Sequence, residues 1–203
     1  VTDFDSRAKD WDADPTKVER ALAIAAAIET NVELRPTMSA LEYGCGTGLL
    51  GFALRPRVGD LTLADVSDGM LDVVREKLAA RPDAGVHPRK LDLVSDPLPD
   101  RRFDLVFSLM TLHHIADTDA VLRNFAALLA RPGILCIADL DAEDGSFHGA
   151  GFDGHKGFDR DALGAKALGA GFRSVRFTTA YEMTKQVGAA LRRFPIFLMV
   201  ARV

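Results

Sequence analysis

The stretch Leu41-Glu42-Tyr43-Gly44-Cys45-Gly46-Thr47-Gly48-Leu49-Leu50-Gly51 carries a short apolar run straight into a glycine-rich turn and then into residues of helical pattern. Glycines at 44, 46 and 48 permit a tight turn and a close backbone approach by a ligand. Gly46, Gly48 and Gly51 also satisfy the G-x-G-x-x-G spacing of dinucleotide sites, and a plain strand-to-helix turn has the same look, so the spacing alone selects no ligand. Outward from this stretch, apolar runs recur at Ala40 to Tyr43, Leu61 to Ala64, Val86 to Leu91, Phe103 to Leu109 and Ile134 to Leu140. Between them lie helical stripes: Val18, Ala21, Leu22, Ala25 and Ile28, then Met70, Leu71, Val74 and Leu78, then Val121, Phe125 and Leu128. This alternation predicts a doubly wound α/β sheet, mostly parallel, with helices on both faces. The nearly continuous apolar runs Phe103 to Phe107 and Ile134 to Ala138 read as central strands, and the alternating Val175 to Thr179 as an edge. Pro195 reads as the first residue of a last strand, Ile196 to Ala201, and Arg81-Pro82 and Arg131-Pro132 as helix stops.

Acids stand at the ends of three of these strands: Glu42, Asp65 and Asp92. In a doubly wound sheet such ends converge on one crevice, and a carboxylate about 20 residues beyond the glycines can accept hydrogen bonds from ribose hydroxyls. That position suits a nicotinamide or an adenosyl cofactor. Three carboxylates with no Arg or Lys in the glycine turn favour a ligand bearing a sulfonium and an ammonium over a pyrophosphate. The cofactor expected on that ground is S-adenosyl-L-methionine, with S-adenosyl-L-homocysteine as its product.

With these residues in view, the sequence resembles the class I S-adenosylmethionine-dependent methyltransferases, specifically the small type 11 and type 25 group, over nearly its whole length. Glu42-x-Gly44-x-Gly46-x-Gly48 is similar to the first motif of that family, Asp65 with Ser67 and Met70-Leu71 to its second, and Asp92-Leu93 to its adenine-contacting pair. Phe103-Asp104-Leu105-Val106 followed by Leu112-His113-His114-Ile115 resembles the strand and loop beneath the methionine moiety, and Phe4-Asp5 with Trp11-Asp12 the opening segment that folds over the cofactor. The resemblance implies a seven-stranded Rossmann-like sheet with an antiparallel last strand. It implies a cofactor-binding set of Trp11, Glu42, Gly44, Cys45, Gly46, Gly48, Asp65, Val66, Met70, Asp92, Leu93, Ser108, Leu109 and His114. Within that set, Glu42 would hold the methionyl ammonium, Asp65 the ribose and Asp92 the adenine amine, with Met70 and Leu93 flanking the ring. It also implies a methyl group passed to an acceptor.

The chain has 203 residues, 48% hydrophobic and 27% charged, which suits one well-buried domain spanning 1–203. Within it, 1–33 read as an N-terminal cap segment and helix, and 141–158, with five glycines and three phenylalanines, as a substrate lid. With 25 Lys plus Arg against 29 Asp plus Glu, the charge of -4 offers no pull on nucleic acid. The Ser108-Leu109-Met110-Thr111 loop lacks the N-P-P-Y element of base methylation, and no carboxylate ends that strand to support magnesium-dependent catechol chemistry. No apolar run is long enough to span a membrane, and an opening with five Asp before residue 15 points to the cytoplasm. The expected acceptor is a small, neutral or cationic molecule, and the expected state a monomer or homodimer. His148 and His155 in the lid are the candidate proton acceptors, whereas His113 and His114 read as loop-orienting residues. No histidine or cysteine pair has metal-site spacing, so no metal is expected, and the acidic run Asp139, Asp141, Glu143 and Asp144 reads as a solvated face. Tyr181-x-x-x-Lys185 matches a short-chain dehydrogenase pair but comes too late in the chain for that role. An NAD-dependent oxidoreductase and a non-catalytic S-adenosylmethionine-binding regulatory protein are the alternative readings.

Overall fold

A computed structural model describes residues 4–203; Val1, Thr2 and Asp3, which the sequence reading assigned to the cap segment, lie outside the described residues. Seven strands form one sheet: β1 (Ser39–Tyr43), β2 (Asp60–Asp65), β3 (Val86–Lys90), β4 (Phe103–Leu109), β5 (Leu129–Leu140), β6 (Ser174–Val187) and β7 (Ala190–Arg202). Their order is β3-β2-β1-β4-β5-β7-β6. All pairings from β3 to β5 are parallel, and β7 runs antiparallel to both β5 and β6. The order reverses between β1 and β4, and a crevice opens at the carboxyl ends beside such a switch point.

Helices α1 (Phe4–Arg7), α2 (Pro15–Asn31), α3 (Leu49–Leu54), α4 (Asp68–Ala80), α5 (Thr118–Leu128) and α6 (Arg160–Gly169) complete the fold. Local chemistry starts them. The Asp14 carboxylate accepts from the Thr16 N–H at 3.0 Å with Pro15 at the first helical position, and the Ser67 hydroxyl accepts from the Met70 N–H at 3.1 Å. The two-fold alternation of strand side chains then divides the core into two layers. Leu105 and Phe107 of β4 and Cys136 and Ala138 of β5 pack with Ile24, Leu50 and Val74. Val106, Leu135 and Ile137 pack on the other face with Phe125, Leu128 and Leu163. Both cysteines are free and buried.

Two proline readings need correction. Arg131-Pro132 does not stop a helix: α5 ends at Leu128, and Pro132 lies inside β5. The register steps from Phe103↔Leu129 to Leu105↔Ile134, so Pro132 sits in a bulge whose backbone owes the ladder no N–H. Pro195 is not the start of its strand but lies within β7, one residue past the point where β5 pairing stops at Leu140↔Ile196. Beyond that point β6 and β7 continue as a two-stranded ribbon, paired out to Val187↔Ala190. Tyr181, Met183 and Phe194 turn one face of the ribbon to the core, and Tyr181, Met183, Thr184 and Lys185 form a wall of the cavity at the carboxyl edge of the sheet.

Candidate active site

The glycine turn is held in shape by the acids around it. Gly44 adopts φ +69°, and a Cβ there would lie 2.3 Å from the Thr111 side chain, so position 44 demands glycine twice over. At Gly46 the nearest atoms to a Cβ would be 3.9 Å away, on Met70 and Trp11, so the backbone lies open to a ligand. The Gly46 N–H donates to Asp65 Oδ2 at 2.7 Å, and the Ser67 N–H to Oδ1 at 2.9 Å. Asp65 therefore fixes the turn as well as facing the cavity, a role the sequence reading did not assign. Burial raises its pKa against the pull of those backbone donors.

Glu42 is 2% exposed, and its Oε2 has no hydrogen-bond partner. Burial holds its carboxyl well above the usual carboxylate range; the Gly51 backbone N–H opposes this, and the Asp65 charge adds to it. Glu42 lines the cavity with its Oε2 turned toward Gly51, and a buried carboxyl short of partners there suits a cation.

The opening segment is tied down across this turn. Asp12 accepts from the Thr47 hydroxyl at 2.5 Å and pairs with Lys77 at 2.6 Å, while Asp5 accepts from Ser67 Oγ at 2.5 Å and from the Gly69 N–H at 2.8 Å. Trp11, with the Lys17 ammonium 4.0 Å from its ring centre, is thereby brought to the cavity.

The cavity measures about 1080 Å³. That is at the upper end of the roughly 300–1,000 Å³ of small-molecule sites. Of the expected cofactor set, Trp11, Glu42, Gly44, Cys45, Gly46, Asp65, Val66, Met70, Asp92, Leu109 and His114 line it. Gly48, Leu93 and Ser108 do not. Gly48 caps α3, Ser108 Oγ donates to the Tyr43 carbonyl at 2.8 Å, and Leu93 is buried in the second core layer with its N–H on the Tyr43 hydroxyl. The Asp92 carboxylate accepts from the Val94 N–H at 2.9 Å, which turns the chain so that Val94 faces the cavity in place of Leu93.

The far wall joins the loop after β4, expected beneath the methionine moiety, to the lid expected over the acceptor. Met110, at φ +53°, leads into a turn (Leu112–His114) that brings His113 to the cavity. His113 is 1% exposed; its Nδ1 lies 2.6 Å from Asp139 Oδ1, and its Nε2 has no partner. His148 stacks on Phe152 at 3.8 Å, and its Nε2 also lacks a partner. Burial first, then the neighbouring histidines, push the His114 pKa down to about 4; burial, His113 and then Lys185 do the same for His148. His155 lies outside the cavity lining: its Nε2 is 3.0 Å from the Ile115 carbonyl, and it ties the lid to the β4 loop. Phe147 and Phe152 line the cavity, whereas Phe158 packs on the core.

Only the end of the acidic run, at Asp144, is a solvated face. Asp139 is fully buried on His113, Asp141 pairs with Arg160 at 2.6 Å, Asp144 with Arg192 at 2.7 Å, and Glu143 accepts from the Phe147 N–H at 3.0 Å. These pairings leave little of its charge to attract a cation. The ribbon and α2 instead present Lys185 and Arg20, whose Nε is buried without a partner while its Nη1 rests 3.1 Å from Met183 Sδ.

Fold and site together are similar to those of the S-adenosylmethionine-dependent methyltransferases. Residues 41–135 match the family model described as a methyltransferase domain. The chain is 35% identical over 109 residues to the ubiquinone/menaquinone biosynthesis C-methyltransferase UbiE of Shewanella woodyi, covering 52% of this chain and 43% of that protein. It is 32% identical over 107 residues to a malonyl-[acyl-carrier protein] O-methyltransferase of Serratia marcescens, covering 53% and 40%. The matched stretch thus spans under half the length of these relatives. A chain from the complex of the Haloferax volcanii Trm112 methyltransferase activator with a methyltransferase superposes with a TM-score of 0.79 at 18% identity, over 100% of this chain and 98% of that one. At that identity the likeness establishes the fold.

Proposed function

We propose that the chain transfers the methyl group of S-adenosylmethionine to a small-molecule acceptor carrying no positive charge. The observation that carries the reading is the pair of buried carboxyls, Glu42 and Asp65, that line the cavity beside a glycine turn with no basic side chain. In this reading Glu42 holds the methionyl ammonium, and Asp65 accepts from the ribose with the lone pairs its two backbone donors leave free. Asp92 and Val94 meet the adenine end, and Trp11 and Met70 exclude water from it. The bound cofactor supplies an activated methyl group with its leaving group already attached. The protein's part is alignment: the Met110 to His114 wall, His148 and Phe152 hold the acceptor in line and dry.

Residues 141–158 act as the lid and 1–33 as the cap of a single domain spanning 1–203. The unpartnered Arg20 Nε and the Lys185 ammonium favour a neutral or anionic acceptor, a change from the neutral or cationic one expected from the acidic run. Relatives named for C- and O-methylation leave carbon and oxygen both open as acceptor atoms. No helix among the described residues is long and apolar enough to cross a membrane, and a cytoplasmic monomer or homodimer that does not act on nucleic acid fits the reading.

The test is formation of S-adenosylhomocysteine from labelled cofactor with phenols, carboxylic acids and amines as acceptors. Turnover with a phenol or carboxylic acid supports the reading. Turnover confined to amines removes the role given to Arg20, and efficient methylation of a DNA duplex or transfer RNA overturns the acceptor class.

A further inference from the structure

The turn after β4 and the glycine-rich lid, far apart in sequence, bring three imidazoles together at one end of the cavity. We propose that His113, His114 and His148 bind a divalent transition-metal ion of the zinc type, with Asp139 orienting His113 from behind. One ligand nitrogen from each lies within 4.8 Å of the others. Asp139 occupies His113 Nδ1 at 2.6 Å, which leaves Nε2 as the lone-pair nitrogen, the arrangement of carboxylate–histidine–metal sites.

Two of the nitrogens, His113 Nε2 and His148 Nε2, are buried and lack any partner. A buried polar atom left unsatisfied calls for an explanation, and a shared cation satisfies both. Ligation at roughly 2.0–2.1 Å requires the nitrogens to close up by about an ångström. His148 stands directly before Gly149, at φ +86°, in a loop that also turns at Gly145 and Gly151, so the lid has the hinge for that closure. The charges of Asp139 and Glu143 reach His148 and oppose that of Lys185.

Three histidines leave a fourth position open, as in catalytic zinc sites. All three line the cavity, so that position is available to water or to an acceptor oxygen. The metal site does not depend on the methyl-transfer reading, because its evidence is the histidine cluster alone.

The experiment uses the full chain, free of any affinity tag and stripped with chelator, titrated with cobalt(II) and followed by visible absorption, then with zinc(II) by calorimetry. The expected result is one ion per chain with the intense visible bands of four-coordinate cobalt, displaced by zinc. His148→Ala is expected to lose at least 100-fold in affinity and Asp139→Asn 10–100-fold, with the cofactor's own binding heat retained. Circular dichroism checks folding, and His148→Gln serves as the second variant if His148→Ala is unfolded. His87→Ala, on β3, is expected to bind as the parent does. Absence of a one-to-one site, or equal binding by the parent and both His148 variants, overturns the proposal. Loss of methyl transfer in His148→Gln, with no metal bound by the parent, assigns the cluster to proton transfer and overturns it too.

Discussion

Replacing Glu42 by Gln keeps the shape of the side chain and removes its titration, which isolates what a buried free carboxyl does. Burial raises the pKa of the Glu42 carboxyl well above the usual carboxylate range in the folded, ligand-free chain. Ionising it in the fold therefore costs more than ionising it in the unfolded chain, by about 1.36 kcal/mol for each pH unit between the two pKa values. The folded-state pKa lies above the unfolded one, so this stability is present below pH 4.5 and lost as pH rises. Glu42→Gln should therefore raise the urea midpoint at pH 7 and leave it nearly unchanged at pH 4.5. The same substitution removes a charge-assisted contact worth about 1.5–3 kcal/mol, so S-adenosylmethionine should bind roughly 10–100-fold more weakly. In the parent, binding of the cationic ligand should release a proton, visible as a dependence of calorimetric heat on buffer ionisation enthalpy; in the variant that dependence should shrink. Equal stability gains at both pH values, or unchanged affinity, would refute the reasoning.

Three further outcomes are expected. Gly44→Ala places a Cβ 2.3 Å from Thr111 in a left-handed turn, so it should lower stability by about 1–3 kcal/mol in urea unfolding; a neutral result would mean the turn is not as tight as described. Asp12→Ala cuts the ties to Thr47 and Lys77, so cofactor affinity should fall about 10-fold with circular dichroism unchanged. Trp11, the single tryptophan, lines the cavity, so its emission should shift on addition of S-adenosylhomocysteine, and a silent signal at saturation would move the ligand away from it.

What the sequence disclosed and what it hid divide along one physical line. The strand into Gly44-x-Gly46-x-Gly48, the helix stripes and the acid at Asp65 are local signals, each set by residues a few positions apart, and each lies where the pattern put it. The β6–β7 ribbon was hidden because Lys185, Arg192 and Arg193 interrupt the alternation of Tyr181, Met183 and Val187, whose side chains pack on the core only once the two strands pair. Leu93 misled because apolarity does not say which way a chain turns; the Asp92 carboxylate on the Val94 N–H decides that. The histidine cluster was out of reach, since His113 and His148 come from different loops and only the fold brings their rings to 4.9 Å. The acidic run deceived for the same reason: Arg160 and Arg192, which neutralise part of it, lie in later elements.

The central claim is that Glu42 and Asp65 make this cavity a receptor for a cationic adenosyl ligand. Isothermal titration of the full chain with S-adenosylmethionine, S-adenosylhomocysteine and NAD tests it most directly. The account predicts one-to-one binding of both adenosyl ligands with dissociation constants on the order of micromolar, about 8 kcal/mol of binding free energy, and no heat from NAD. Clear binding of NAD with none from either adenosyl ligand would contradict it.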